Sequence, residues 1–280
     1  MSKILQEKAL LVRLSLPSYS GRKEDKAAKA IVTREIGIAE KSIKAITYLM
    51  PEYVSEVQSK IGRLRNWHYS VTLPWGRGVD IVPIKMYFEY VQKFGKMKDE
   101  IHYSVENFID HLPEAIERDK YLRKGLFKGA DYPTAEELRR KFKVAVNFEP
   151  VPSRDDFRVN LQNEEIEKIQ NMLEESLKEK EKEAMRDLWV RLYEPVKAMA
   201  ETLNSGKKGF HRTLVGNVEN MCQLLTKLNF TEDPDLEEKR KKVEDELTRY
   251  SSEDLKNNED LAKSVGKKAE DILKDMEGYI

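Results

Sequence analysis

The sequence predicts a mainly α protein: an elongated, coiled-coil-like antiparallel helical hairpin, further C-terminal helices, and a small β-sheet at the base. Three observations carry this prediction. Of 280 residues, 36% are charged and only 13 are Gly and 10 Pro, the composition of long solvated helices with few breakers. Apolar residues recur at 4,3 spacing along two long stretches, the pattern of a coiled-coil seam. Between those stretches lies a short aromatic and basic interruption, Trp67 to Pro83, which reads as the far end of the hairpin.

The elements follow in chain order. Residues 1–21 hold a strand, because Leu10, Val12, Leu14 and Leu16 alternate with Leu11, Arg13 and Ser15 before Pro17 ends it. Residues 22–130 form the long hairpin, with its tip at 67–83. Its first seam is Val32, Ile36, Ala39, Ile43, Ile46, Met50, Tyr53 and Val57, with Pro51 imposing a kink or a break near Met50. The second seam is Tyr87, Val91, Phe94, Ile101, Val105, Phe108 and Leu112, which returns antiparallel to the first. Residues 131–162 carry a short helix opened by the capping box Thr134 to Glu137. A hairpin follows, with Val144, Val146 and Phe148 in one strand and Phe157, Val159 and Leu161 in the other. That hairpin and the N-terminal strand make the basal sheet. Residues 163–280 are helical, with starts at Asn163, Asp233-Pro234 and Ser252 and a proline, Pro195, inside the first helix.

Charge is balanced at 50 basic and 50 acidic residues, yet residues 1–150 hold 27 basic against 20 acidic and residues 151–280 hold 23 against 30. This gradient favours head-to-tail assembly or an anionic partner on one side. A single cysteine, Cys222, excludes an internal disulfide and a cysteine-based zinc site, and suits a reducing cytoplasm. The N-terminal apolar run is too short for a signal peptide, and nowhere do eighteen apolar residues run together, so no membrane partner is expected.

Motifs for chemistry are weak. His102, Glu106 and Asp110 share one helix face at metal-ligand spacing, but such carboxylates are common on solvated faces, so neither a metal nor any other cofactor is expected. Ser205 to Gly209 lacks the phosphate-loop pattern, and Gly76-Arg77-Gly78 lacks the third glycine of a dinucleotide loop. The carboxylates and arginines of Arg154, Asp155, Asp156 and Arg158 read as mutual ion pairs that fix a turn. The chain therefore reads as a binding protein, not an enzyme.

Nearly the whole length resembles a family of uncharacterised phage, prophage and plasmid proteins, domain of unknown function 3150. The resemblance is carried by SGRK at 20–23, FEPVPSRDDFRVNL at 148–161 and NVENMCQLLTKLNFTEDPDLEEKRKKVEDEL at 217–247. It implies mobile-element biology, near genes for a ring ATPase of the MoxR type, and implies no catalytic residue.

Arg65, Trp67, His68, Tyr69, Trp75 and Arg77 fall within thirteen positions, and arginines among aromatics are the residue types of interface hot spots. These six are the expected contacts to a protein partner, plausibly that ring ATPase, with the incompletely covered seams favouring a homo-oligomer. The alternative is nucleic acid. There Arg22, Lys23, Lys26, Lys29, Arg34, Lys41 and Lys44 of the basic N-terminal helix, together with Arg63, would meet phosphates, and the aromatic tip would stack on bases.

Overall fold

A computed structural model of the chain describes residues 2–153, 163–206 and 210–280. The fold is mainly α, 72% helical, with a small four-stranded sheet. Packing divides it into two units. Unit 1 comprises residues 1–13, 69–90 and 147–280, and unit 2 residues 14–68 and 91–146.

In unit 2 the predicted antiparallel hairpin is present in shortened form. Helix α3 (Pro51–Val71) runs against α4 (Ile84–Asp110). The pairs are ordered as antiparallel packing demands: Lys93 lies over the Trp67 ring, Ser104 bonds Lys60 and Glu56, and Tyr53 stacks on Phe108. The first arm differs from the expectation, because it begins at Pro51 and not at Arg22. Proline costs nothing in the first turn of a helix, where its missing N–H has no intrahelical acceptor, so Pro51 starts α3 instead of kinking a longer helix. Just before it Met50 turns the chain at φ +47° and donates its N–H to Asp119 Oδ2 at 3.0 Å. Upstream lie a two-stranded hairpin, β2 (Arg22–Glu24) with β3 (Ile46–Tyr48), and between its strands α2 (Lys26–Ile36). Val32, Ile36 and Ile46 are therefore exposed and form no seam. Gly21, at φ +63°, lies so close to Leu49 that a Cβ would stand 2.8 Å from the Leu49 carbonyl oxygen. Downstream, α5 (Leu112–Arg123) and α6 (Ala135–Lys141) follow, the latter opened by the predicted Thr134–Glu137 capping box.

Unit 1 contains the sheet. Helix α1 (Ser2–Lys8), which the sequence did not announce, leads into β1 (Ala9–Ser15). The strand order is β4-β5-β1-β6, where β4 is Leu73–Gly76, β5 is Val79–Pro83 and β6 is Ala145–Pro150. The N-terminal strand and the strand near 144–148 share one sheet, as expected, and are neighbours in it, while the second strand at 157–161 lies outside the described residues. The hairpin at 73–83 is the correction. It is not a tip displayed far from the base but two strands of the basal sheet, with Ala9 opposite Pro83 and Val12 opposite Asp80. Burial explains the placement: Leu73, Ile81 and Val82 are fully buried, and exposing them at a tip would forgo roughly 1.5–3 kcal/mol each.

The C-terminal helices close into a ring of four. Helix α7 (Asn163–Asn204) packs on both α8 (Thr213–Leu228) and α11 (Glu259–Met276), and α9 (Pro234–Leu247) packs on the same two; the short α10 (Ser252–Asn257) leads into α11. Asp233 caps α9, Asn258 caps α11, and the cap of α10 is Ser251, one residue before the expected Ser252. Leu188, Leu192, Val218, Leu228, Val243 and Ile272 are wholly buried between the helices. Cys222 lies among them and burial pushes its thiol up to about 12, so it is a packed hydrophobe. Arg240 is buried in the same ring and forks onto Glu237 while also reaching Glu244.

Helices α7 and α11 meet most closely at Gly266. A Cβ there would stand 2.3 Å from Asn204 Oδ1 and 3.1 Å from the Leu203 Cβ. Gly266→Ala is expected to cost about 1–2 kcal/mol, overpacking outweighing the helix propensity gained, whereas Gly216→Ala in α8, with nothing within 4 Å, is expected to gain about 0.5–1 kcal/mol. Chemical denaturation of the two variants measures both signs.

Candidate functional site

The end of α3 decides how residues 67–83 are presented. A helix terminus leaves its last carbonyls without intrahelical donors. Here one guanidinium supplies them: Arg191 Nη1 donates to the Ser70 carbonyl at 2.8 Å, and Nη2 donates to those of Tyr69 at 3.1 Å and Thr72 at 2.6 Å. Its Nε donates to Asp187 Oδ2 at 2.6 Å, one turn earlier on α7. The planar five-donor fork of arginine suits three acceptors at once, which lysine cannot match.

From that fixed end the chain enters β4. Pro74 stands opposite Asp80 and Gly76 opposite Val79, so Trp75 is the extra residue of a β-bulge with nothing across from it. Bulges re-aim side chains, and this one sets the half-buried Trp75 beside α7. Gly76, Arg77 and Gly78 have φ of +110°, +55° and +73°, and the central pair Arg77-Gly78 makes a two-residue turn of the I′ kind. Trp75, Gly76 and Arg77 line a groove of about 690 Å³ with Ser176 and Lys180 of α7.

The six residues expected to meet a protein partner are divided between the two units. Arg65, Trp67 and His68 belong to unit 2, and Tyr69, Trp75 and Arg77 to unit 1. Arg65 is exposed, Trp67 is half-covered by Lys93 at 5.4 Å, and Tyr69 is exposed. His68 is wholly buried, so it packs inside and presents nothing to a partner. Trp75 and Arg77 line one groove, and the residues that sequence reasoning missed there are Ser176 and Lys180, a hundred positions away on a helix that gave no local signal.

The basic residues of 22–48 are largely engaged nearby. Lys23 pairs with Asp131, Lys29 with Glu24 at 3.8 Å and Arg34 with Glu35 at 3.5 Å, and Arg22 lies over the Tyr48 ring. Lys26, Lys41, Lys44 and Arg63 are exposed. What the sequence did not foresee is the apolar exposure among them. Helix α2 buries none of its residues, although Ala27, Ala28, Ala30, Ile31 and Val32 make it strongly apolar. Ile36 is 65% exposed, and Ile31, Ile46 and Tyr48 about half exposed.

The metal-like set on α4 is occupied otherwise. Glu106 receives Arg139 through both Nε and Nη2, and this bidentate pair holds its carboxyl below the usual range. Among the described residues no group of three or more His, Cys, Asp or Glu is placed to hold a metal. The Arg154–Arg158 cluster and residues 207–209 of the glycine-lysine turn lie outside the described residues. No family model, curated protein or solved structure matches the chain, so the resemblance to the phage family rests on its quoted motifs.

Two tests follow from these contacts. Arg191→Met removes the three guanidinium donations to the end of α3 and is expected to cost about 1–3 kcal/mol in urea denaturation, with Arg191→Lys recovering only part of it. Asp25 caps α2 by accepting the Ala28 N–H at 3.0 Å and also receives Arg123 at 3.1 Å; these two, the cap first, hold its carboxyl below the usual range. A lowered folded-state pKa stabilises above the unfolded value of about 3.9, and the gain is lost as pH falls through the folded value. Asp25→Asn, which keeps a capping oxygen, is thus expected to cost about 1 kcal/mol at neutral pH and nothing near pH 2, as read from thermal melts across that range.

Proposed function

We propose that the chain is a non-enzymatic interaction protein that docks a protein partner through residues 22–48. The observation that supports this reading is α2, which has three alanines, two isoleucines and a valine among its eleven residues and buries none of them. In most globular proteins such a helix owes its stability to packing one face, because an isolated eleven-residue helix is marginal in water. Here Asp25 supplies the start and Gly37, at φ +70°, the left-handed stop, while the apolar face stays open. Exposed apolar surface of this kind, rimmed by charge, marks an interaction site. The stretch holds seven basic and four acidic residues, so the complementary face is apolar and acidic. The partner to try first is the ring ATPase that the resemblance to mobile-element proteins implies. A second copy of the chain is the other occupant, since residues 151–280 carry the excess of acid.

The test compares the wild type, an Ile31→Glu, Ile36→Glu double variant and a Trp75→Ala, Arg77→Glu double variant. Each is measured for binding to the purified ATPase and, by light scattering, for self-association. Ile31 and Ile36 touch no core, so the first variant is expected to keep the wild-type melting temperature and lose at least about tenfold in partner affinity. A partner or oligomer retained equally by that variant takes the docking surface away from α2.

A further inference from the structure

The groove beside the β4–β5 turn has a composition that the docking reading does not use. Among the described residues its lining carries two cations, an indole, a hydroxyl and a glycine, and no carboxylate. Glu183 of α7 accepts from Lys180 Nζ at 2.7 Å and so keeps that ammonium at the groove wall. Gly76 lies beside this ammonium, since a Cβ there would stand at contact distance, 3.5 Å, from Lys180 Nζ. Trp75 is pushed out of the cross-strand register by the bulge, and Arg77 sits at the turn apex on a backbone with positive φ. The part of it that a water-sized molecule can occupy, about 410 Å³, falls within the range of small-molecule sites, roughly 300–1,000 Å³.

We infer that this groove binds a nucleoside phosphate unit, with the base on Trp75 and the phosphate between Arg77 and Lys180. An indole offers any base a stacking face, and the gain is sequence-tolerant because every base has one. A phosphate between guanidinium and ammonium receives charge-assisted hydrogen bonds from both, with the Ser176 hydroxyl available as a further donor. A purely apolar ligand would make no use of the two cations, and inorganic phosphate alone would leave the indole unused. The shared chemistry is a base joined to a phosphate, whether free or as one unit of a single strand. This inference stands apart from the α2 reading, so either fails without the other.

The experiment titrates the full chain with AMP, adenosine, inorganic phosphate and a short oligothymidylate, by calorimetry and by tryptophan emission. AMP is expected to bind saturably, with adenosine and phosphate each weaker by about tenfold or more, the scale of one stacking or one charged contact. Arg77→Gly is the cleanest variant, because glycine keeps the positive-φ turn while deleting the charge; it is expected to weaken AMP about tenfold, and so is Lys180→Gln. Trp75→Leu is expected to do the same and to remove the emission change while Trp67 and Trp189 still report folding. An oligothymidylate binding at least about tenfold tighter than AMP, with affinity falling steeply as salt rises, assigns the site to a strand; equal or weaker binding assigns it to the free nucleotide. No saturable binding of AMP or the oligonucleotide, or binding unchanged in Arg77→Gly and Lys180→Gln, overturns the inference.

Discussion

Unit 1 depends on where α3 stops, and α3 stops under the guanidinium of Arg191. Three carbonyls at the end of a helix need donors, and without them the last turn frays and the following residues lose their fixed exit direction. Arg191 meets all three from a neighbouring helix and is itself held by Asp187. The direction thus fixed carries Leu73 into the sheet, sets β5 against β1, and leaves Trp75 at a bulge facing α7. One side chain on the longest helix therefore ties together the sheet, the turn and the groove.

Much of the helical content was legible because its signals are local. The capping box at Thr134, Asp233-Pro234, and the 4,3 spacing of Phe94, Ile101, Val105 and Phe108 act over one or two turns, and the structure keeps them. The seam at Val32 to Met50 was misleading for a physical reason. Periodicity records which residues could share a helical face, and cannot tell a proline that kinks a helix from one that begins it. Chain reversal at Met50, held by Asp119 from sixty-nine positions away, chose the latter.

The hairpin at 73–83 shows the converse. Val79, Ile81 and Pro83 alternate, and Arg77-Gly78 suits a two-residue turn, so the strands themselves were readable. Their partner was not, since pairing with β1 spans some seventy residues and no local term specifies it. The candidate site suffers likewise: Trp75 and Arg77 stood out by type, but Ser176 and Lys180 look like any other residues of a charged helix until α7 is laid beside β4. The exposed face of α2 was hidden for a different reason, because an apolar stripe in sequence normally means burial, and here the structure leaves it bare.

The segment order of the two units bears on how the chain folds as it is made. Unit 2 ends at residue 146, so all of its sequence has been synthesised before α7 begins. Unit 1 needs residues 1–13, 69–90 and everything after 146, including Arg191. During synthesis β1 and β5 must accordingly wait as unfinished edges while a complete helical unit forms from the chain between and after them, and the sheet gains its anchor only once most of α7 has left the ribosome. Vectorial synthesis thus delivers the whole sequence of unit 2 before the last segment of unit 1.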